Sequence, residues 1–165
     1  MILRSIRKLF SKTIYVQLSE DKIRICNIDD GLAYEEPPYI ALDKTINPNI
    51  IHAIGAEAFK LKSNPKFEVS NPFAHPRLLI GSYLKAEKIL MHGIREVHKN
   101  RYIRPSPLVV IHPLDKLEGG ITAIECRAYR ELALGAGARN VYIHVGSPLS
   151  VINFNMEQIN EPICA

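Results

Sequence analysis

The chain has 165 residues, 47% of them apolar and 23% charged, with a formal net charge of +4 and a pI near 9.0. That size fits one domain around one hydrophobic core, leaves no room for a second lobe of comparable size, and its composition excludes wholesale disorder. No apolar run approaches the ~20 residues a membrane-spanning helix needs, and the N-terminus lacks the apolar core and cleavage site of a secretory signal, so a soluble body is expected.

Residues 1–12 read as a short basic amphipathic helix. Ile2, Leu3, Ile6, Leu9 and Phe10 recur at helical spacing, and Arg4, Arg7, Lys8 and Lys12 take the other face. Such a helix suits a bilayer surface, where each cation gains ~1 kcal/mol near anionic head groups. A terminal helix packed on its own core fits the same pattern.

Strand-like segments follow at Ile14 to Leu18, Lys22 to Ile28 and Tyr39 to Leu42, the first two joined through Ser19-Glu20-Asp21. Short connections predict an antiparallel meander. Residues 44–77 are less regular and read as an insertion or small subdomain, with one short helix over His52 to Leu61. From Ser82 to Asn100, Tyr83, Ala86, Leu90, Ile94 and Val97 share one helical face, and Pro105 and Pro107 end that pattern.

Leu108 to Ile111 and Val141 to Val145 are continuous apolar runs of the kind found in strands buried on both faces. Between them lies a helix over about Thr122 to Leu134, closed by the C-cap signal Gly135-Ala136-Gly137. The unit predicts parallel strands with a right-handed crossover. The body is therefore read as one domain over residues 13–152, with a loosely held tail at 153–165. A meander followed by helix, strand, helix, strand is the order of the ribonuclease-H-like fold beneath actin-type ATPases, an α/β architecture with a mixed sheet of about five strands.

Several residues invite a chemical reading. His112 and His144 each fall near the carboxyl end of a predicted parallel strand, where α/β sheets place ligands, but no carboxylate or cysteine joins them at metal-ligand spacing. Neutral, hydrogen-bonded histidines are the commoner outcome. His92 and His98, six apart on one helix, read as surface residues. Thr122-x-x-Glu125 is a capping box. Gly146-Ser147-Pro148 reads as a plain turn, and Lys99, Arg101 and Arg104 as a solvated helix end, so no nucleic-acid partner is expected. The three cysteines, Cys26, Cys126 and Cys164, show no CxxC or zinc spacing and suggest neither a disulfide framework nor a metal site, which fits a reducing cytoplasm.

Two runs carry a family resemblance. Arg101 to Val110 is similar to a segment of the bacterial actin MreB, the rod-shape-determining family, in which an RPSP turn leads into a core strand. Glu125 to Arg139 resembles the same family's ERRAIRES…GAGAR helix and turn, and weaker collinear matches at Arg7 to Ser11, Gly31 to Pro37, Ala53 to Ala58 and Glu87 to His98 extend the likeness to about Ile152. The resemblance reaches only the first subdomain of MreB and a variant of the small subdomain inserted in it, with the second lobe absent.

In the family, ATP sits between two lobes, and the first hairpin carries Asp-Leu-Gly-Thr to serve metal and phosphate. The matching residues here are Gln17, Leu18, Ser19 and Glu20, which lack the metal-binding carboxylate and add an acid. Glu125 matches the glutamate that orients the attacking water. The resemblance thus implies an actin-like scaffold without catalysis or cofactor. We expect it at the cytoplasmic face of the inner membrane, bound through the N-terminal helix and engaging a protein partner or its own copies. The alternative is a residual nucleotide-binding ATPase that completes its site for ATP and magnesium by oligomerising or by capturing a second chain.

Overall fold

A computed structural model of the chain describes residues 12–45, 50–98 and 106–164. The proposed membrane-binding residues Ile2, Leu3, Arg4, Ile6, Arg7, Lys8, Leu9 and Phe10 lie outside the described residues, as do Lys99, Arg101 and Arg104. In chain order the elements are β1 (Thr13–Leu18), β2 (Ile23–Asn27), β3 (Ala33–Glu36), β4 (Ile40–Asp43), β5 (Ile51–Ile54), α1 (Ala56–Lys60) and β6 (Phe67–Ser70). Then come α2 (Tyr83–Glu96), β7 (Leu108–Pro113), α3 (Ala123–Gly135), β8 (Asn140–Ile143) and a 3₁₀ turn at Met156–Gln158.

Five strands form a mixed sheet in the order β3-β2-β1-β7-β8. β1 to β3 are the antiparallel meander, while β7 runs parallel to β1 and β8 parallel to β7. The apolar alternation of β1 explains its central place: Ile14, Val16 and Leu18 face one layer and Tyr15 the other, all buried. On the first face, Val109 and Ile111 of β7 join a core completed by Ala86, Ile89, Leu90 and Ile94 of α2 and by Cys126, Tyr129, Leu132 and Ala133 of α3. Gly93 lets α2 approach the meander, because a Cβ there would stand 2.3 Å from Ile25 Cδ1 and 2.9 Å from Tyr34 Cδ1.

The helix α3 begins and ends as its sequence predicts. Its C-terminus is a Schellman motif, with Ala138 N–H donating to Ala133 O at 3.0 Å and Gly137 N–H to Leu134 O at 3.0 Å. Gly137 supplies the left-handed φ of +104° that the motif requires.

The structure departs from the sequence reading at five places. First, the third meander strand is β3, not Tyr39 to Leu42. Pro37 and Pro38 cannot extend the β3 ladder, so the chain leaves that sheet and its next apolar run becomes β4, the centre of a second sheet ordered β5-β4-β6. Second, His52 to Leu61 is not one helix. Gly55, at φ +76°, turns strand β5 into α1, and Glu36 Oε2 accepts from Ala56 N–H at 2.9 Å.

Third, His98 is buried rather than on the surface, its Nδ1 2.8 Å from Ile94 O. Fourth, Lys12, assigned to the basic face of the N-terminal helix, is buried and ion-paired with Asp30 at 3.0 Å. Fifth, Cys126 and Cys164 are joined in a disulfide, and the tail expected to be loose is tied to the sheet edge. Val145 N–H donates to Asn160 O at 3.0 Å, and Arg130 lies 3.8 Å from Glu161.

Candidate functional site at the carboxyl edge of the sheet

The carboxyl ends of β1, β7 and β8 converge on one edge, where the β1–β2 hairpin, the loop 114–122, the start of α3 and the turn after β8 meet. This is the edge at which α/β sheets bind ligands. Gln17, Leu18, Ser19 and Glu20 lie here, with Gln17 in register with His112 and Leu18 with Pro113.

The hairpin turn spends its polar groups internally. Ser19 N–H and Ser19 Oγ both donate to Lys22 O, at 3.0 and 2.8 Å, and Lys22 N–H donates to Ser19 Oγ at 3.0 Å. The next amide, Glu20 N–H, donates to the Asp115 carboxylate at 2.7 Å. Glu20 O accepts from Asn71 Nδ2 at 2.7 Å, and the Glu20 carboxylate pairs with Lys116 Nζ at 3.0 Å. Lys116 also donates to Phe73 O at 3.3 Å and to His75 O, from a backbone at φ +59° that bulky residues rarely adopt.

The acid that meets the hairpin amide is therefore Asp115, while Glu20 is neutralised by Lys116. Sequence reasoning placed the negative charge on Glu20. The loop that follows β7 thus engages the hairpin amide, while Glu20, Asp21 and Lys22 themselves stay exposed.

Glu125 performs the capping role. Its backbone N–H donates to Thr122 Oγ1 at 3.3 Å, and its carboxylate accepts from Thr122 N–H at 2.9 Å and from Thr122 Oγ1 at 2.7 Å. Both partners are thereby occupied at the start of α3.

The two histidines are buried side by side, ring centroids 4.6 Å apart, and each ring nitrogen has a partner. His112 Nδ1 accepts from Tyr15 OH at 2.5 Å and its Nε2–H donates to Gly146 O at 3.0 Å. His144 Nε2–H donates to Ser147 O at 2.8 Å, and its Nδ1 accepts from Asn160 N–H at 3.0 Å. Burial, reinforced by the neighbouring His144, pushes the His112 pKa down to about 4. Both rings thus latch the 146–148 turn through Nε2, and with each Nδ1 accepting a hydrogen bond neither has a lone pair left for a metal. Among the described residues no group of three or more His, Cys, Asp or Glu side chains could hold one.

Comparison with known proteins places this geometry. The family model described as MreB/Mbl protein matches residues 11–162. The chain belongs to the MreB/Mbl family. It is 30% identical over 144 residues to the cell shape-determining protein MreB of Escherichia coli K12, covering 86% of this chain and 40% of the relative. With MreB of Haemophilus influenzae the identity is 33% over 147 residues, 87% of this chain and 40% of the relative.

Among solved structures, MreB5 of Spiroplasma citri bound to ADP superposes with a TM-score of 0.64 at 20% identity, over 82% of this chain and 38% of that one. The MamK A278D mutant bound to AMPPNP gives 0.60 at 15% identity, over 82% and 41%. The fold is thus that of one lobe of an actin-like protein, as its residue order implied. The chain spans about 40% of the length of the curated relatives it matches. No helix among the described residues is long and apolar enough to cross a membrane.

Proposed function

We propose that this MreB/Mbl chain is a non-catalytic interaction or scaffold protein, working at the cytoplasmic face of the membrane alongside cell-shape or envelope machinery. The observation that carries the reading is the Asp115 carboxylate 2.7 Å from Glu20 N–H, at the hairpin position that in the family approaches phosphate. A hydrogen bond to a charged group contributes roughly 1.5 to 3 kcal/mol. An arriving phosphate must break it and also meet like charge, at a cost of about 1 to 4 kcal/mol for ~4 Å separation. Calorimetry of the chain with magnesium and ATP tests this: no heat of binding at micromolar concentrations is expected, and micromolar affinity overturns the non-catalytic assignment.

The membrane element rests on the basic amphipathic pattern of residues 1–12. Co-sedimentation with anionic liposomes is expected for the intact chain and lost when Leu9 and Phe10 are replaced by Asp. Failure of the intact chain to sediment removes that element and leaves the scaffold reading to be judged separately.

The second reading, a residual nucleotide-binding protein completed by another chain, draws on the nucleotides held by the MreB5 and MamK structures. It requires Asp115 and Lys116 to withdraw from the hairpin. Tighter ATP binding by an Asp115→Ala, Lys116→Ala variant that also self-associates would favour it.

A further inference from the structure

The tail after the 3₁₀ turn is held to the edge of the main sheet in two independent ways. Non-covalently, Val145 N–H donates to Asn160 O at 3.0 Å, Asn160 Nδ2 donates to Val145 O at 3.2 Å, and Asn160 N–H donates to His144 Nδ1 at 3.0 Å. Because β8 is the outermost strand on its side, these groups would otherwise lie on an open edge. Covalently, Cys164 is bonded to Cys126 of α3 across 38 positions, with Cα atoms 6.2 Å apart.

The two sulfurs are not equally accessible. Cys126 is 1% exposed within the core, whereas Cys164 sits partly buried at its rim. The third cysteine, Cys26, is 3% exposed, unbonded and in the middle of the sheet. A small thiol from solvent therefore meets Cys164 first, and Cys26 stands as an internal control.

We propose that residues 159–164 form a redox-governed strap: the Cys126–Cys164 disulfide locks them against β8, and reduction releases them and bares the backbone that follows β8 together with the Nδ1 of His144. In the release step a thiolate of a small thiol or dithiol attacks Cys164 Sγ. The S–S bond breaks, Cys126 departs as thiolate and takes up a proton, and a second reductant thiol resolves the mixed disulfide. The products are two cysteine thiols and one oxidised reductant, with two electrons passed to the protein. A low-molecular-weight disulfide drives the reverse, leaving as two thiols. In a reducing compartment the free strap is the resting form, and oxidation is the signal that fastens it.

The test is hydrogen–deuterium exchange on the full chain, oxidised with glutathione disulfide or reduced with dithiothreitol, read beside thiol alkylation. In the reduced chain, peptides covering 141–147 and 156–164 are expected to exchange at least about 10-fold faster, with β1 and β7 unchanged. Iodoacetamide is expected to label Cys164 and then Cys126 in the reduced chain, neither in the oxidised chain, and Cys26 only on unfolding. Cys164→Ser, which spares the buried partner, is expected to match the reduced chain in both buffers. Equal exchange in the two states, or two labelled thiols after oxidation, overturns the proposal. Faster exchange throughout β1 and β7 on reduction does so too, since the bond would then be a staple of the whole core.

Discussion

The Tyr15 hydroxyl donates to Nδ1 of His112 at 2.5 Å while accepting from Leu149 N–H at 3.1 Å. One phenol thereby joins the central strand, its parallel neighbour and the turn beyond β8. The arrangement fixes His112 as the tautomer with its proton on Nε2, where Gly146 O receives it.

That neutral state makes stability depend on pH. The His112 pKa falls from its ordinary 6.5 to about 4 in the fold, so between those values the unfolded chain binds more protons than the native one. Stability is full above 6.5 and declines as pH drops through the window, by on the order of 3 kcal/mol in total. Urea melts at stepped pH check this, and His112→Asn should flatten the slope. Asp43, held down to about 2 chiefly by hydrogen bonds from Thr45, adds its own loss only as pH falls below the ordinary carboxylate value of 3.8.

Tyr15→Phe keeps the ring and removes the hydroxyl, leaving His112 Nδ1 and Leu149 N–H without this partner. A destabilisation of about 1 to 3 kcal/mol is expected from chemical denaturation. Faster amide exchange at Leu149 should accompany it.

At the start of α3, capping and catalysis predict different things. Thr122→Ala should cost about 1 kcal/mol of stability, and Glu125→Gln less, because glutamine still reaches back to the Thr122 amide. Phosphate release from ATP should be at background for the parent and for both variants. A parent rate above background that Glu125→Gln abolishes would give Glu125 a catalytic role.

Gly93→Val is expected to destabilise the chain by roughly 2 kcal/mol or more, because the added carbons meet Ile25 and the stiff ring of Tyr34 where α2 crosses the meander. Thermal unfolding reads it directly. Gly31, with nothing within 4 Å of a Cβ, is the open-space comparison, where only its φ of +69° resists substitution.

What was legible in the sequence was local. The run of β7 announced a buried parallel strand, Thr122 and Glu125 a helix start, and Gly137 its end, since each signal lies within a few residues of its effect; the run of β8 announced a parallel strand, but as the outermost one it is only partly buried. The third strand failed because an apolar run such as Ile40 to Leu42 says that it is buried, not in which sheet. Asp115 escaped notice as a ligand of the hairpin because its partner amide, Glu20, is 95 positions away. The Cys126–Cys164 pair likewise spans 38 residues and has no spacing motif to betray it.

Lys116 joins its own loop to two other parts of the chain: the hairpin through Glu20, and the path out of the small sheet through the carbonyls of Phe73 and His75. Its ammonium group thus works beside Asn71, whose side-chain amide donates to Glu20 O, in tying the path out of the small sheet to the main one. Because one of its three bonds is an ion pair to a half-exposed carboxylate, added salt loosens that one bond, while the apolar contacts of Ile40, Leu42 and Phe73 with the core keep the two sheets together.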